Sequence, residues 1–196
     1  MKKTIATSVL CFCALFLVQV PAHAQQIDVA YGGGTISAPA PTVNAESLRG
    51  GFYNTISGDV LFFHHMGAGA EVSWRGSKND YPTVGGPLPY RPLFFDVNAV
   101  YAPPLLPKIQ PQFEAGIGAE DLRFYSASFC NIYTGSCYLS SKHFMGHLGI
   151  GLKVYAFGNF FVRPEADLYL VHNNAEFSAA RATRIGISIG YTLGSH

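Results

Sequence analysis

After residue 20, the sequence has no apolar run long enough to form a membrane-spanning helix. Such a helix needs about twenty consecutive, mostly apolar residues. The one comparable run extends from Ile5 to Val20, at the start of the chain. We therefore expect no membrane helix in the remainder of the sequence.

Charged residues are also scarce, at 13% of the chain. Without the first 24 residues, which contain Lys2 and Lys3, eleven basic residues remain against twelve acidic ones. A nucleic-acid-binding domain usually carries a clear excess of bases. The charge balance therefore argues against nucleic acid as a partner.

The N-terminal segment has the three parts of a secretory signal peptide. Lys2 and Lys3 precede the apolar run, and the small residues of Pro21-Ala22-His23-Ala24 follow it. This order predicts export and cleavage after Ala24, which divides the chain into a signal peptide (residues 1–24) and one domain (residues 25–196). The alternative is a retained transmembrane helix. Lipidation is not expected, because Leu10 and Phe12 stand where a small residue is needed.

Only two cysteines, Cys130 and Cys137, lie outside the signal peptide. In an exported chain, a lone pair this close in a polar stretch indicates a disulfide that closes a hairpin loop. The alternative is a metal site, which would need further ligands nearby. None has suitable spacing, so we predict neither a metal nor another cofactor.

From Lys142 to His172, apolar and polar residues alternate with a period of two on both sides of a Phe157-Gly158-Asn159 turn. This pattern predicts two long antiparallel strands, each with one apolar face. Strands in soluble sheets usually have about five or six residues, whereas a tilted strand of about ten crosses a membrane. Because lipid cannot bind free backbone groups, such a sheet must close into a barrel.

The same alternation predicts eight strands in all, and hence an all-β, eight-stranded, antiparallel up-and-down transmembrane barrel. The predicted strands cover residues 27–32, 50–63, 67–75, 93–101, 112–120, 143–156, 160–170 and 184–193. Long loops follow strands one, three, five and seven, including residues 35–47 and 76–88, and short turns follow strands two, four and six. Outer-membrane barrels alternate in this way, with short periplasmic turns and long extracellular loops.

The sequence does not determine which face of the strands is inside. A soluble, lipocalin-like barrel would put its apolar residues inside, and a membrane barrel would put them outside. Two features favour the membrane. Aromatic residues, among them Tyr31, Trp74 and Tyr101, lie near strand ends, and glycines lie on the polar faces, where a narrow lumen needs room.

Three segments carry a resemblance to a known family: Gly67-Ala-Gly-Ala-Glu-Val-Ser-Trp74, Phe161-Val-Arg-Pro-Glu165 and Arg184-Ile-Gly-Ile-Ser-Ile-Gly-Tyr191. They resemble the small outer-membrane β-barrel domain of the OmpA/OmpX/OmpW type in Gram-negative bacteria. The resemblance implies location in the outer membrane and assembly by the barrel-assembly machinery. It also implies contact with outer-membrane lipid and lipopolysaccharide.

The charges on the polar faces are expected to point into the lumen. Eight strands leave a lumen that side chains just fill, so we expect these charges to pair with one another. The alternative is a water-filled conduit gated by the same pairs. The predicted lumenal charge network comprises Glu71, Arg75, Asp96, Glu114, Glu120, Lys153, Arg163, Glu165, Asp167 and Arg184.

We expect no catalytic residues. Lipid A deacylases share the predicted architecture and use a His-x-Ser pair with a more distant Glu, whereas this chain has His172-Asn173-Asn174. Ser178 and Glu176 lie near His172, but nothing in their spacing requires catalysis. His143 and His147 are about 13 Å apart along a strand, too far to bind one metal ion unaided.

The stapled loop is the best candidate contact surface, since binding residues concentrate on loops of a rigid scaffold. Its aromatic residues include Phe129, Tyr133 and Tyr138. The alternative is that the loops only shield the mouth of the barrel. We therefore expect a monomeric, non-enzymatic barrel with a structural or surface-interaction role, and a narrow porin, or a conduit for apolar ligands, as the alternative.

Overall fold

Ten antiparallel strands form one sheet in the computed structural model, which describes residues 26–38, 48–130, 135–173 and 180–194. Eight of them close into a ring, which confirms the predicted barrel. The strands are β1 (Gln26–Ala38), β2 (Leu48–Arg49), β3 (Tyr53–Phe63), β4 (Met66–Arg75), β5 (Asn79–Thr83), β6 (Gly86–Tyr101), β7 (Ile109–Cys130), β8 (Cys137–Phe157), β9 (Phe160–Val171) and β10 (Arg181–Leu193).

The ring follows the order of the chain, β1-β3-β4-β6-β7-β8-β9-β10, and β10 then pairs with β1. This closing pair runs from Ile27 opposite Leu193 to Ser37 opposite Thr183. Closure satisfies the backbone groups that an open edge would expose to lipid. β2 and β5 lie outside the ring. β2 pairs with the end of β1, and β5 pairs with the start of β6.

Three connections are short, and all lie at one end, which we call the short-turn end. They are the His64-His65 turn, residues 102–108 and the Gly158-Asn159 turn. His64 and His65 both have a positive φ, 44° and 66°, as a two-residue hairpin with a matching twist requires. The strand ends that flank the other connections lie at the opposite end, which we call the long-loop end.

Residues that point out of the barrel are apolar, and residues that point inward are mostly polar. On β10, Ile185 is 69% exposed, whereas Arg184 is 1% exposed. An outer surface of this kind would be unstable in water, and it suits hydrocarbon. The question of sidedness that the sequence left open is therefore answered: the polar faces line the lumen.

Two predicted loop segments contain strands instead. Residues 35–38 belong to β1, so the predicted loop at 35–47 begins too early. The predicted loop at 76–88 contains a hairpin of β5 and the start of β6, in which Pro82 lies opposite Pro87. Proline is tolerated there because β5 is an edge strand that needs fewer backbone donors.

Among the described residues, no helix is long and apolar enough to cross a membrane. The predicted signal peptide, residues 1–24, lies outside the described part of the chain. Its cleavage after Ala24 stays a prediction.

Candidate functional site in the lumen and at the long-loop end

The lumen near the short-turn end is occupied by an ion pair between Lys153 of β8 and Asp28 of β1. Asp28 also accepts hydrogen bonds from Gln26 Nε2 at 2.9 Å and from Thr192 Oγ1 at 2.6 Å. Lys153 is fully buried. Polar contacts therefore replace the water that its ammonium group loses.

In the middle of the lumen, Arg163 of β9 contacts three carboxyl groups. Its Nε lies 2.9 Å from Glu165 Oε2, and its Nη1 lies 3.5 Å from Asp59 Oδ2 and 3.8 Å from Glu114 Oε1. Nη2 donates to Ser57 Oγ at 2.8 Å. Arg163 thereby ties β9 to β3 and β7, which are not its neighbours in the ring.

Nearer the long-loop end, Arg184 of β10 binds three carboxyl groups. Its Nη2 lies 2.7 Å from Glu71 and 3.2 Å from Glu165, and its Nε lies 2.8 Å from Asp167. Nη1 donates to Thr55 Oγ1 at 2.5 Å. A buried guanidinium with this many acceptors crosslinks β3, β4, β9 and β10.

His147 joins the same group of charges between two aspartates. Its Nε2 lies 3.1 Å from Asp167 Oδ1, and its Nδ1 lies 2.9 Å from Asn98 Oδ1 and 3.3 Å from Asp96 Oδ1. Carboxylate and amide oxygens only accept hydrogen bonds. Both ring nitrogens must therefore carry a proton, and His147 is a cation in this geometry.

We call eleven of these charged side chains the lumen network. Its acids are Asp28, Asp59, Glu71, Asp96, Glu114, Glu165 and Asp167, and its bases are His147, Lys153, Arg163 and Arg184. The structure thus brings together eight of the ten predicted residues. Asp28, Asp59 and His147 were not in the predicted network, although the alternation of side chains along each strand places them on its inner face.

Arg75 and Glu120, the other two predicted residues, are buried closer to the long-loop end. The Nε and Nη1 atoms of Arg75 have no hydrogen-bond partner within the described residues. Its guanidinium lies against Gly51, where any side chain would collide with it. Glu120 lies opposite His143 in the β7–β8 register. Arg75 therefore lies apart from the ion pairs that define the lumen network, as far as the described residues extend.

Above the network, the long-loop end is filled by an apolar plug that the sequence did not predict. It consists of Ile36, Ala38, Tyr53, Tyr90, Phe94, Leu122, Phe124, Met145, Tyr169, Val171 and Ala182. Phe94 stacks on Tyr169 with their ring centroids 5.1 Å apart, and Tyr169 stacks on His147 at 5.0 Å. The plug therefore packs directly on the charged layer below it.

The β7–β8 hairpin contains the longest strands at the long-loop end, and Cys130 and Cys137 are bonded near its tip. Phe129 is half-buried and packs against the apolar plug, so its ring is only partly available to a partner. Tyr138 is half-buried as well, 5.7 Å from Tyr125 between ring centroids. Tyr133 lies outside the described residues.

No metal-binding group of three or more His, Cys, Asp or Glu side chains occurs in the described parts of the chain. His172 is exposed, whereas Glu176 and Ser178 lie outside the described residues. The described geometry therefore does not test the arrangement of these three side chains.

Comparison of the structure with solved structures identifies the architecture. Neisserial surface protein A superposes with a TM-score of 0.65 at 11% identity, covering 84% of this chain and 96% of that protein. The fold is that of the small outer-membrane β-barrels. In barrels of this fold, the long loops lie at the extracellular end.

Two further outer-membrane barrels have a similar fold. The attachment invasion locus protein Ail of Yersinia pestis, solved with the heparin analogue sucrose octasulfate, has a TM-score of 0.58 at 11% identity and covers 87% of this chain and 100% of its own. A major outer-membrane protein from Thermus thermophilus has a TM-score of 0.58 at 12% identity, with the same coverage. No protein-family model and no curated protein matches the sequence.

Proposed function

We propose that this outer-membrane barrel is a closed, non-enzymatic scaffold whose long-loop end interacts with molecules outside the cell. The observation that supports this proposal is that side chains occupy the lumen along its length. Lys153, Arg163 and Arg184 are each at most 2% exposed, and the apolar plug fills the long-loop end. In this proposal, these described side chains block the passage of a solute.

The bases in the lumen serve structure in this proposal. Arg163 and Arg184 each connect strands that do not pair with one another, so the ion pairs brace the ring across its interior. Breaking a buried pair leaves a charge without a partner, which is strongly unfavourable. A rigid barrel is a suitable platform for loops that bind.

The flux of a small solute through the barrel tests whether its lumen is closed. Refolded mature protein in liposomes should give the same swelling rate in an isotonic solution of a small neutral sugar as empty liposomes. A known general porin in parallel liposomes provides the positive control. Swelling above that of empty liposomes would instead support the alternative function, a narrow porin.

We also propose that the protein acts as a monomer, is inserted by the barrel-assembly machinery and contacts phospholipid and lipopolysaccharide. The exposed apolar belt supports the lipid contacts, because its side chains match hydrocarbon. Catalysis is not expected, because the sequence has asparagine where a lipid A deacylase would carry the serine after His172. Released fatty acid from lipopolysaccharide incubated with the purified protein would contradict this.

One surface at the long-loop end favours an anionic ligand. Lys78 Nζ lies 3.8 Å from the centroid of the Tyr125 ring, and Arg123 lies 5.1 Å from that of Tyr138. Lys142 is exposed on the same hairpin. Asp121 lies 2.9 Å from Arg123 and opposite Lys142 in the β7–β8 register, so one acid faces two of the three bases. Ail, which has the same fold, was solved with a sulfated ligand.

Binding of sucrose octasulfate tests this surface. We expect saturable binding by calorimetry, weakened at least tenfold in the Lys78→Ala, Lys142→Ala double variant. Lys108→Ala is the matched control, because Lys108 is exposed at the short-turn end, and it should bind like the wild type. Absence of saturable binding by the wild type would overturn this second proposal and leave the closed scaffold intact.

A further inference from the structure

The lumen network holds more acids than bases. Seven carboxyl groups contact only four bases among the described residues, one of which is His147 in its cationic form. With every group ionised, the network would carry three uncompensated negative charges. A buried ion without a partner is several kcal/mol less stable than in water, so something else must neutralise the surplus.

The surplus lies on one side of the lumen, at Asp59 of β3, Asp96 of β6 and Glu114 of β7. Asp59 and Glu114 are ion-paired with Arg163, whose Nη1 is 3.5 Å and 3.8 Å away, beyond good hydrogen-bonding distance. Within the described residues, Asp96 has only His147 as an ionic neighbour, and His147 is shared with Asp167. The remaining acids of the network, in contrast, are close to Arg184, Arg163 or Lys153.

Gln112 shows independently that a hydrogen-bond donor is missing on this side of the lumen. Its Nε2 donates to Asp59 Oδ2 at 2.9 Å and to Glu114 Oε1 at 2.5 Å, which places the amide between these acids. The side chain is fully buried, and its Oε1 accepts no hydrogen bond from a described residue. Asp96 Oδ2 likewise has no described partner. Two buried acceptors without donors therefore lie on the side with surplus acids.

Protons are the simplest neutralising species. The described residues offer no cluster of three metal ligands, and each proton can sit on one carboxyl oxygen without added space. We propose that Asp59 and Glu114, which share the Gln112 amide, hold protons at neutral pH, and that these protons remove two of the three surplus charges and keep the barrel closed. Their loss would create a negative lining that repels itself and admits cations.

The groups that face these two acids come from several strands of the ring. They are Asp28 on β1, Asp96 on β6, His147 and Lys153 on β8, and Arg163 and Asp167 on β9. The bases among these groups already lie close to other carboxylates, so they do not remove the surplus. The inference that the barrel opens when these acids lose their protons rests on the proposed function, in which the barrel is closed at neutral pH.

The pH dependence of the free energy of unfolding measures how many protons the folded barrel retains. Unfolded carboxyl groups titrate near pH 4, so above about pH 6 the unfolded chain has released the protons that the folded barrel retains. The folded state then binds more protons, and its stability must fall as pH rises. We expect urea unfolding of the mature protein in detergent micelles to release about three protons per molecule between about pH 7 and 9. One of them comes from cationic His147, because an unfolded histidine titrates near pH 6.5.

Isosteric substitutions of acids by amides identify which side chains hold the protons. The Asp59→Asn, Glu114→Gln double variant mimics two protonated acids, so it should release about two fewer protons and become more stable than the wild type at about pH 9. Asp80→Asn, an exposed acid outside the lumen, is the matched control and should keep the wild-type pH dependence. An unchanged pH dependence in the double variant would overturn the proposal. So would stability set by NaCl concentration at fixed pH, since inorganic cations would then neutralise the surplus.

Conductance tests the opening separately from closure at neutral pH. Bilayers containing the wild type should be silent at neutral pH and show cation-selective steps above about pH 9, and the double variant should stay silent at both. Silence of the wild type at high pH, with unfolding excluded by gel mobility of the unheated protein, would overturn the opening. Steps already present at neutral pH would instead overturn the closed scaffold.

Discussion

Arg184 Nη2 lies 2.7 Å from Glu71 Oε1 and joins β10 to β4 across the lumen. These strands are not neighbours in the ring, and the residues are 113 positions apart. Their pairing is therefore a tertiary contact, which forms only when the barrel has closed. Tyr169 donates to the same carboxylate at 3.3 Å and links it to the apolar plug.

Replacing Arg184 should strongly destabilise the barrel. Arg184→Ala leaves Glu71 and Asp167 buried without their main cation, and removing one partner of a buried ion pair costs about 3–5 kcal/mol. Arg181→Ala, on the exposed start of the same strand, should change stability by less than about 0.5 kcal/mol. Urea unfolding followed by tryptophan fluorescence of Trp74 measures both. Equal midpoints for the two variants would show that the pairing does not stabilise the barrel.

Glycines on the inner face are needed where strands approach closely. A Cβ on Gly118 of β7 would collide with the Phe95 carbonyl oxygen and lie 2.7 Å from Asp96 Cα, whereas a Cβ on Gly58 of β3 would meet nothing closer than 3.8 Å. We expect Gly118→Ala to destabilise by about 1–3 kcal/mol, as overpacking does. Gly58→Ala is the control. Comparable unfolding midpoints would mean that β6 and β7 can separate without cost.

Thiol counting tests both the disulfide and the predicted cleavage after Ala24. Mature protein exported to the outer membrane should add no maleimide label when denatured without reductant and two labels after reduction, because Cys130 and Cys137 are bonded. A chain that retained Cys11 and Cys13 as free thiols would add two labels before reduction. Mass spectrometry of the labelled protein measures the count, and the Cys130→Ser, Cys137→Ser variant should add none in either condition.

Alternation of residue type was enough to predict the eight ring strands and their faces. On β10, Ile185 and Ile187 point outward and Arg184 and Ser188 inward, as the period of two requires. The strands at the long-loop end were harder to recognise. Pro82 and Pro87 indicated a loop. An edge hairpin outside the ring nevertheless tolerates proline, because its strands need fewer backbone donors.

The apolar plug could not be predicted because its residues break the polar pattern of the inner face. Alternation places Tyr53, Phe94 and Tyr169 on the inner face. Aromatic residues near strand ends are, however, also typical of the aromatic belt at a membrane surface. His147 was missed for a different reason. A single histidine on an inward face reveals its partners only when β6 and β9 bring Asp96 and Asp167 to it.

The central claim, that ion pairs and the apolar plug close this barrel, is tested most directly by planar-bilayer conductance at neutral pH. Refolded wild-type protein, shown to be folded by its gel mobility without heating, should give no conductance steps. A variant that still folds but lacks the bases Arg163 and Arg184 should give steps, because it loses the side chains that fill the lumen. Discrete steps from the wild type at neutral pH would contradict the account and identify the protein as a pore.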